Sequence, residues 1–199
     1  MRRGRVNAGG GAAGILCPVR RWPLALLAFL WVAQGIAAVP VVPAPPAGSL
    51  PDMRSRARPL GPAALVAETL DHGGLQRVLD RGRYVAGSER EFFGRTAVFN
   101  HVPERVLRFG SGTGASAYLT WLRAHAAESL GEPRSVTAPG IGTDGFVYQP
   151  RGCGCHSDTP TYLVAWRRGR LVLTVLASGN GASAKTAGGL ARSLDRAAS

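Results

Sequence analysis

The most reactive run in the 199-residue chain is Arg151-Gly-Cys153-Gly-Cys155-His156. Two thiols one glycine apart can close a disulfide or exchange with other thiols. When reduced, they can offer soft ligands to copper(I) or zinc beside the imidazole. No fourth ligand stands at a recognisable spacing, so no metal is assigned. The chain has three cysteines, and Cys17 lies in a leader. Loss of that leader in an oxidising compartment leaves an even pair, so a Cys153–Cys155 disulfide is expected. Loop entropy in so short a ring contributes only about 1.6 kcal/mol before strain. Its plainest role is to pin the loop between Phe146 and Tyr162. Thiol exchange or soft-metal binding is the alternative.

Two glycine-rich runs imitate phosphate sites. Gly110-Ser-Gly112-Thr-Gly-Ala115 follows a strand pattern and opens a helix, as in a dinucleotide-binding turn. That turn needs a parallel strand after the helix, with an acid at its end. Here residues 131–140 read as a loop, and helix capping by Ser111 or Thr113 accounts for the run. Gly179-Asn-Gly-Ala-Ser-Ala-Lys185-Thr186 has alanine at position 184 where a phosphate loop requires glycine. It reads as a capped strand-to-helix turn, and no cofactor is expected.

The four histidines are scattered, and Asp71-His72 are helical neighbours that point in different directions. No G-x-S-x-G, H-E-x-x-H or paired-carboxylate pattern occurs, so no catalytic residue is nominated. Arg167, Arg168 and Arg170 form the densest charge cluster. They could touch an anionic membrane surface, although a solvated turn that keeps a strand edge from pairing explains them more simply.

The formal net charge is +12, but five of the arginines lie in the leader. The remainder carries 19 basic residues against 12 acidic ones. Lys185 is the sole lysine, and arginine, alanine, glycine and proline are all heavily used. That skew is one of genome composition, and no aromatic-basic interleaving accompanies it, so nucleic acid is not expected as a partner.

Arg20-Arg21 precede the apolar run Trp22 to Ala38, which ends in small residues. Residues 1–38 therefore read as a signal peptide or a membrane anchor, and the domain as secreted or held by an N-terminal transmembrane helix. Residues 39–59, rich in proline and arginine, read as a disordered tether, with an exported domain over 60–199. Within it the spacing predicts a helix over Pro62 to Arg81, weakened at Gly73-Gly74, and another over Thr113 to Leu130. Strands are expected over 96–102 and 106–109, with a turn or edge bulge at Pro103-Glu104, and over 145–149. A hairpin over 162–176 precedes a closing helix over 186–197. This order predicts an α+β domain: one antiparallel sheet with helices packed on one face.

The run Arg83-Tyr-Val-Ala-Gly87, the strand end Arg108-Phe109-Gly-Ser111 and the helix start Gly114-Ala115 form a familiar layout. The late pair Trp166-Arg-Arg-Gly169-Arg170 and Val172-Leu-Thr-Val175 completes it. Over residues 60–197 it resembles small exported domains of actinobacterial envelope proteins. These include lipoproteins and extracellular sensor-like domains of receptor kinases. The resemblance implies a non-catalytic module binding an envelope ligand or protein partner, and it supplies no catalytic residue. The acylated cysteine of a lipoprotein is missing.

Overall fold

The computed structural model describes residues 42–130, 132–136, 140–151 and 159–199. There are seven strands, the inner ones rich in β-branched and aromatic residues: β1 (Arg54–Leu60), β2 (Tyr84–Phe93), β3 (His101–Phe109), β4 (Glu132–Val136), β5 (Thr143–Arg151), β6 (Thr161–Arg168) and β7 (Leu171–Ser178). The helices are α1 (Pro62–Ala67), α2 (His72–Arg81), α3 (Gly112–Leu130) and α4 (Ala184–Ala197). All seven strands lie in one sheet of order β1-β2-β3-β7-β6-β5-β4. Every neighbouring pair is antiparallel. The β1-β2-β3 and β4-β5-β6-β7 meanders are joined by α3 and meet along β3 and β7.

The fold class is the α+β antiparallel sheet that the hairpin pattern predicts, but both faces are covered. Side chains alternate strictly along β7. Val172 joins Leu107, Phe109, Leu75 and Leu119 beneath α1, α2 and α3. Leu173, Val175 and Ala177 join Val102, Phe92 and Trp166 on the other face, which α4 closes with Ala187, Leu190, Ala191 and Leu194. The expectation of helices on one face thus holds for the first three alone. A central strand apolar on both sides needs two covers.

The folded region also begins earlier than Leu60. Part of the expected tether is β1, paired over its whole length with β2 from Arg54↔Phe93 to Leu60↔Gly87. Before it, Val42 and Met53 are buried in the α4-side core. Ser88 Oγ donates to Pro43 O at 2.8 Å, and Arg90 Nε donates to Pro45 O. Proline density removes backbone donors but leaves every carbonyl free, and polar side chains of β2 collect two of them. Residues 1–41, and with them the leader, lie outside the described residues.

Three smaller corrections have local causes. The 62–81 helix breaks over residues 68–71, because Asp71 caps α2 by accepting from the Gly74 amide at 2.9 Å. Pro103-Glu104 interrupts nothing, since β3 runs through it and the reversal falls over residues 94–100, closed by Thr96 on Phe99. The stretch read as a loop contains β4, an edge strand on β5. No described helix is long and apolar enough to cross a membrane.

Glu104 is fully buried between β2 and β7, and neither carboxyl oxygen has a hydrogen-bond partner. Arg90 stands directly across the ladder, but its guanidinium is drawn to Pro45 O and Ser55 Oγ. The nearby Ser49 hydroxyl donates to Pro46 O. Burial pushes the Glu104 carboxyl up to about 7, against the opposing pull of Arg90 and Ser49. The folded chain therefore holds a proton that the unfolded chain releases near 4.5. Stability should fall as pH rises from about 4.5 to 7, by on the order of 2–4 kcal/mol. Denaturation midpoints of wild type and Glu104→Gln should agree near pH 4.5 and separate above pH 7, with the variant more stable. Parallel pH profiles would contradict this reading of Glu104.

Candidate functional site

Beneath α3, where it crosses β3, β6 and β7, lies a cavity of about 270 Å³. Its walls are apolar: Leu122 and Ala126 from α3, Leu163 from β6 and Leu176 from β7. Its polar groups come from four elements. Arg105 on β3 and Thr174 on β7 are direct cross-strand partners. Tyr118 descends from α3, and Glu68 comes from the residue that ends α1. A smaller hollow of about 80 Å³ shares Glu68, Arg105, Tyr118 and Leu122 and reaches Trp121 and His125.

The charges at this site are paired off. Glu89, buried on β2, accepts from Arg58 Nε at 2.7 Å and Arg105 Nε at 2.6 Å. Glu68 takes the other side of the same two guanidiniums, at 3.0 Å from Arg58 and 2.7 Å from Arg105. Two cations and two anions close a neutral ring across β1, β2, β3 and α1. Burial alone would raise the Glu89 carboxyl, but the two arginines outweigh it and hold the group below the usual carboxylate range. Its contribution to stability is therefore complete at neutral pH and lost as pH falls through that lowered value.

The hydroxyls are different. Tyr118 is 4% and Thr174 7% exposed, and neither hydroxyl has a hydrogen-bond partner among the described residues, although both line the cavity. Burial pushes the Tyr118 phenol up to about 12, with Arg105 opposing and Glu68 adding to the shift. It stays protonated at physiological pH, a neutral group able to donate and accept.

At the hollow's outer end Asp71 accepts from Trp121 Nε1 at 3.3 Å and faces His125 Nε2 at 3.4 Å. His125 stacks on Trp121, with ring centroids 4.5 Å apart, and its Nδ1 meets Trp121 O at 2.9 Å. Sequence reasoning set Asp71 beside His72, found that helical neighbours point apart, and named no partner for Asp71. The fold pairs it with His125 on another helix, which no spacing pattern encodes. Asp71 is held below the usual carboxylate range by the Gly74 amide and then by Trp121. These contacts tie α2 to α3.

Cys153, Cys155 and His156 lie outside the described residues. The arginine cluster is divided: Arg167 Nε reaches Asp144 at 3.0 Å and Arg168 reaches Asp195 at 3.3 Å, while Arg170 is exposed. Among the described residues no group of three or more His, Cys, Asp or Glu side chains could hold a metal.

Both glycine-rich runs are explained by packing and capping. Ser111 Oγ accepts the Gly114 amide at 3.0 Å, and a Cβ on Gly114 would run into the Gly82 carbonyl, so α2 and α3 touch backbone to backbone. Ser183 and Thr186 form a reciprocal capping box on α4. A Cβ on Gly179 would strike Val98 O.

No family model matches the chain, and no curated protein matches it at a significant level. Among solved structures it is similar to the extracellular domain of PknH from Mycobacterium tuberculosis. The identity is 14%, over 73% of this chain and 84% of that one, with a TM-score of 0.45.

Three substitutions test the assignments above. Arg105→Met should cost about 3 kcal/mol, because buried Glu89 loses one of its two cations. Arg56→Ala, which breaks an exposed pair with Glu91, should cost under about 0.5 kcal/mol in the same denaturation assay. Gly114→Ala should destabilise by about 1–3 kcal/mol through the clash with Gly82. A neutral Gly114→Ala would return that run to candidacy as a ligand turn.

Proposed function

We propose that this is a non-catalytic binding domain of the cell envelope that admits a small, uncharged, largely apolar ligand beneath α3. The observation that carries the reading is the pair of hydroxyls, on the buried residues Tyr118 and Thr174, that open on an apolar cavity without a protein partner. A hydroxyl that opens on a cavity and bonds no protein group is available to a molecule held there. The neighbouring charges neutralise one another, so an ionic ligand would have to break an existing pair. A hydroxyl, ether or amide would instead meet two groups able to donate and accept. The volume of about 270 Å³ sets the scale of a small-molecule ligand. An extracytoplasmic location follows from the arginine-flanked apolar leader.

The test is a thermal-shift screen of small alcohols, ethers and amides against carboxylates and amines of equal size. At a hundredfold excess over the dissociation constant, a fitting neutral compound should stabilise by about 2.7 kcal/mol, or about 5–10 °C in Tm. Tyr118→Phe with Thr174→Val should leave the unliganded protein as stable or more so, because no protein hydrogen bond is lost, and should abolish the shift. Stabilisation by charged compounds alone, a shift that survives in the double variant, or turnover of a bound compound would each refute the proposal.

A further inference from the structure

We infer that the end of the sheet carrying Arg81, Arg83, Arg108 and Arg170 is a docking surface for an anionic phospholipid membrane. The four residues are exposed, and their guanidinium groups make no hydrogen bond or ion pair with a described residue. They come from the end of α2, the turn into β2, the end of β3 and the β6–β7 turn. The ladder gathers them: Tyr84 lies opposite Phe109, and Arg108 opposite Leu171. The Gly110 amide donates to Arg83 O at 2.8 Å, and the Phe109 amide to Arg170 O at 3.0 Å. Asp144 and Asp195, acids near the same turn, are engaged by Arg167 and Arg168. Asp80 accepts from Gln76 at 2.8 Å.

The first described residues favour a membrane over other polyanions. Pro45 is held by Arg90 and Pro43 by Ser88, so the chain, followed backward, runs along β2 toward its first residue. It reaches Val42, which is buried in a groove that Arg108 also lines. Residues 39–41 alone separate Val42 from Ala38, the end of the apolar leader. The four chain steps from Ala38 to Val42 span at most roughly 14 Å, under two screening lengths of about 8 Å at physiological salt. A leader retained in the bilayer therefore keeps these arginines within electrostatic reach of the headgroups. Val85, 36% exposed, adds an apolar side chain at this end. Phe93, the large exposed aromatic among the described residues, lies at the opposite end of β2, so among them no stacking platform for nucleic acid accompanies the charge.

The experiment is amide hydrogen exchange on the full chain held in nanodiscs of phosphatidylcholine, with or without phosphatidylglycerol. Each basic residue near an anionic surface is worth about fivefold in affinity. Amides of the 167–171 turn should accordingly exchange at least about fivefold more slowly in anionic discs, while the 94–100 turn at the far end is unchanged. Arg83→Gln with Arg108→Gln and Arg170→Gln breaks no side-chain hydrogen bond, and should erase the difference. So should ionic strength near 1 M, where screening falls to about 3 Å. Equal exchange in the two discs, protection that persists in the triple variant, or protection by soluble polyphosphate but not by anionic discs would overturn the inference.

Discussion

The ladder between β3 and β7 is the constraint on which the rest of the structure depends. It joins two meanders that share no other strand pairing, across a sequence separation of more than sixty residues. Its register decides which side chains meet. Arg105 opposite Thr174 forms the polar part of the cavity beneath α3, while Glu104 opposite Val175 faces the core closed by α4. A slip of one residue would exchange these faces, placing a guanidinium in the α4 core and a carboxyl under α3. The apolar alternation of β7, buried on both sides, makes such a slip costly.

Two neighbouring charged residues on β3 meet opposite circumstances because of that alternation. Arg105 enters a closed ring with Arg58, Glu68 and Glu89, in which each buried charge has a counterion at hydrogen-bond distance. Glu104, one residue earlier, enters a core whose cross-strand cation, Arg90, is occupied with a backbone carbonyl and a serine hydroxyl. The first arrangement fixes three strands and a short helix relative to one another. The second leaves a carboxyl that is comfortable only when neutral. The cavity lies on the side where charge is balanced, which leaves its two hydroxyls as the polar groups open to a ligand.

Local signals were legible where a residue acts through its own neighbours. The 162–176 hairpin, α3 and the capped start of α4 follow from periodicity, turn residues and serine caps. The glycine-rich runs were separable from phosphate sites by one missing residue or one missing strand. Elements that depend on distant partners were not legible. β1 is rich in arginine and ends in Pro59-Leu60, a composition that reads as tether until Glu89 and Glu91 on β2 are in place to receive Arg58 and Arg56. The pairing of Asp71 with His125, and the gathering of Arg83, Arg108 and Arg170, arise from strand register and helix crossing. The second helical cover had a visible cue: β7 is apolar at consecutive positions, as a strand buried on both faces must be.

The placement of β7 and α4 also orders events in time. As the chain emerges from its N-terminal side, β1, β2 and β3 can form their meander early, β2 and β3 through a short reversal and β1 across the two local helices α1 and α2. β3 must then wait with one edge unpaired, and the face bearing Phe92, Val102 and Val106 uncovered, until residues 171–197 arrive. Contacts this distant in sequence slow a folding reaction, because loop closure must precede any gain from pairing. A half-made sheet with an open apolar edge is the species most prone to pair with another copy. The interval before the last helix arrives is thus the most vulnerable stage in the life of this chain.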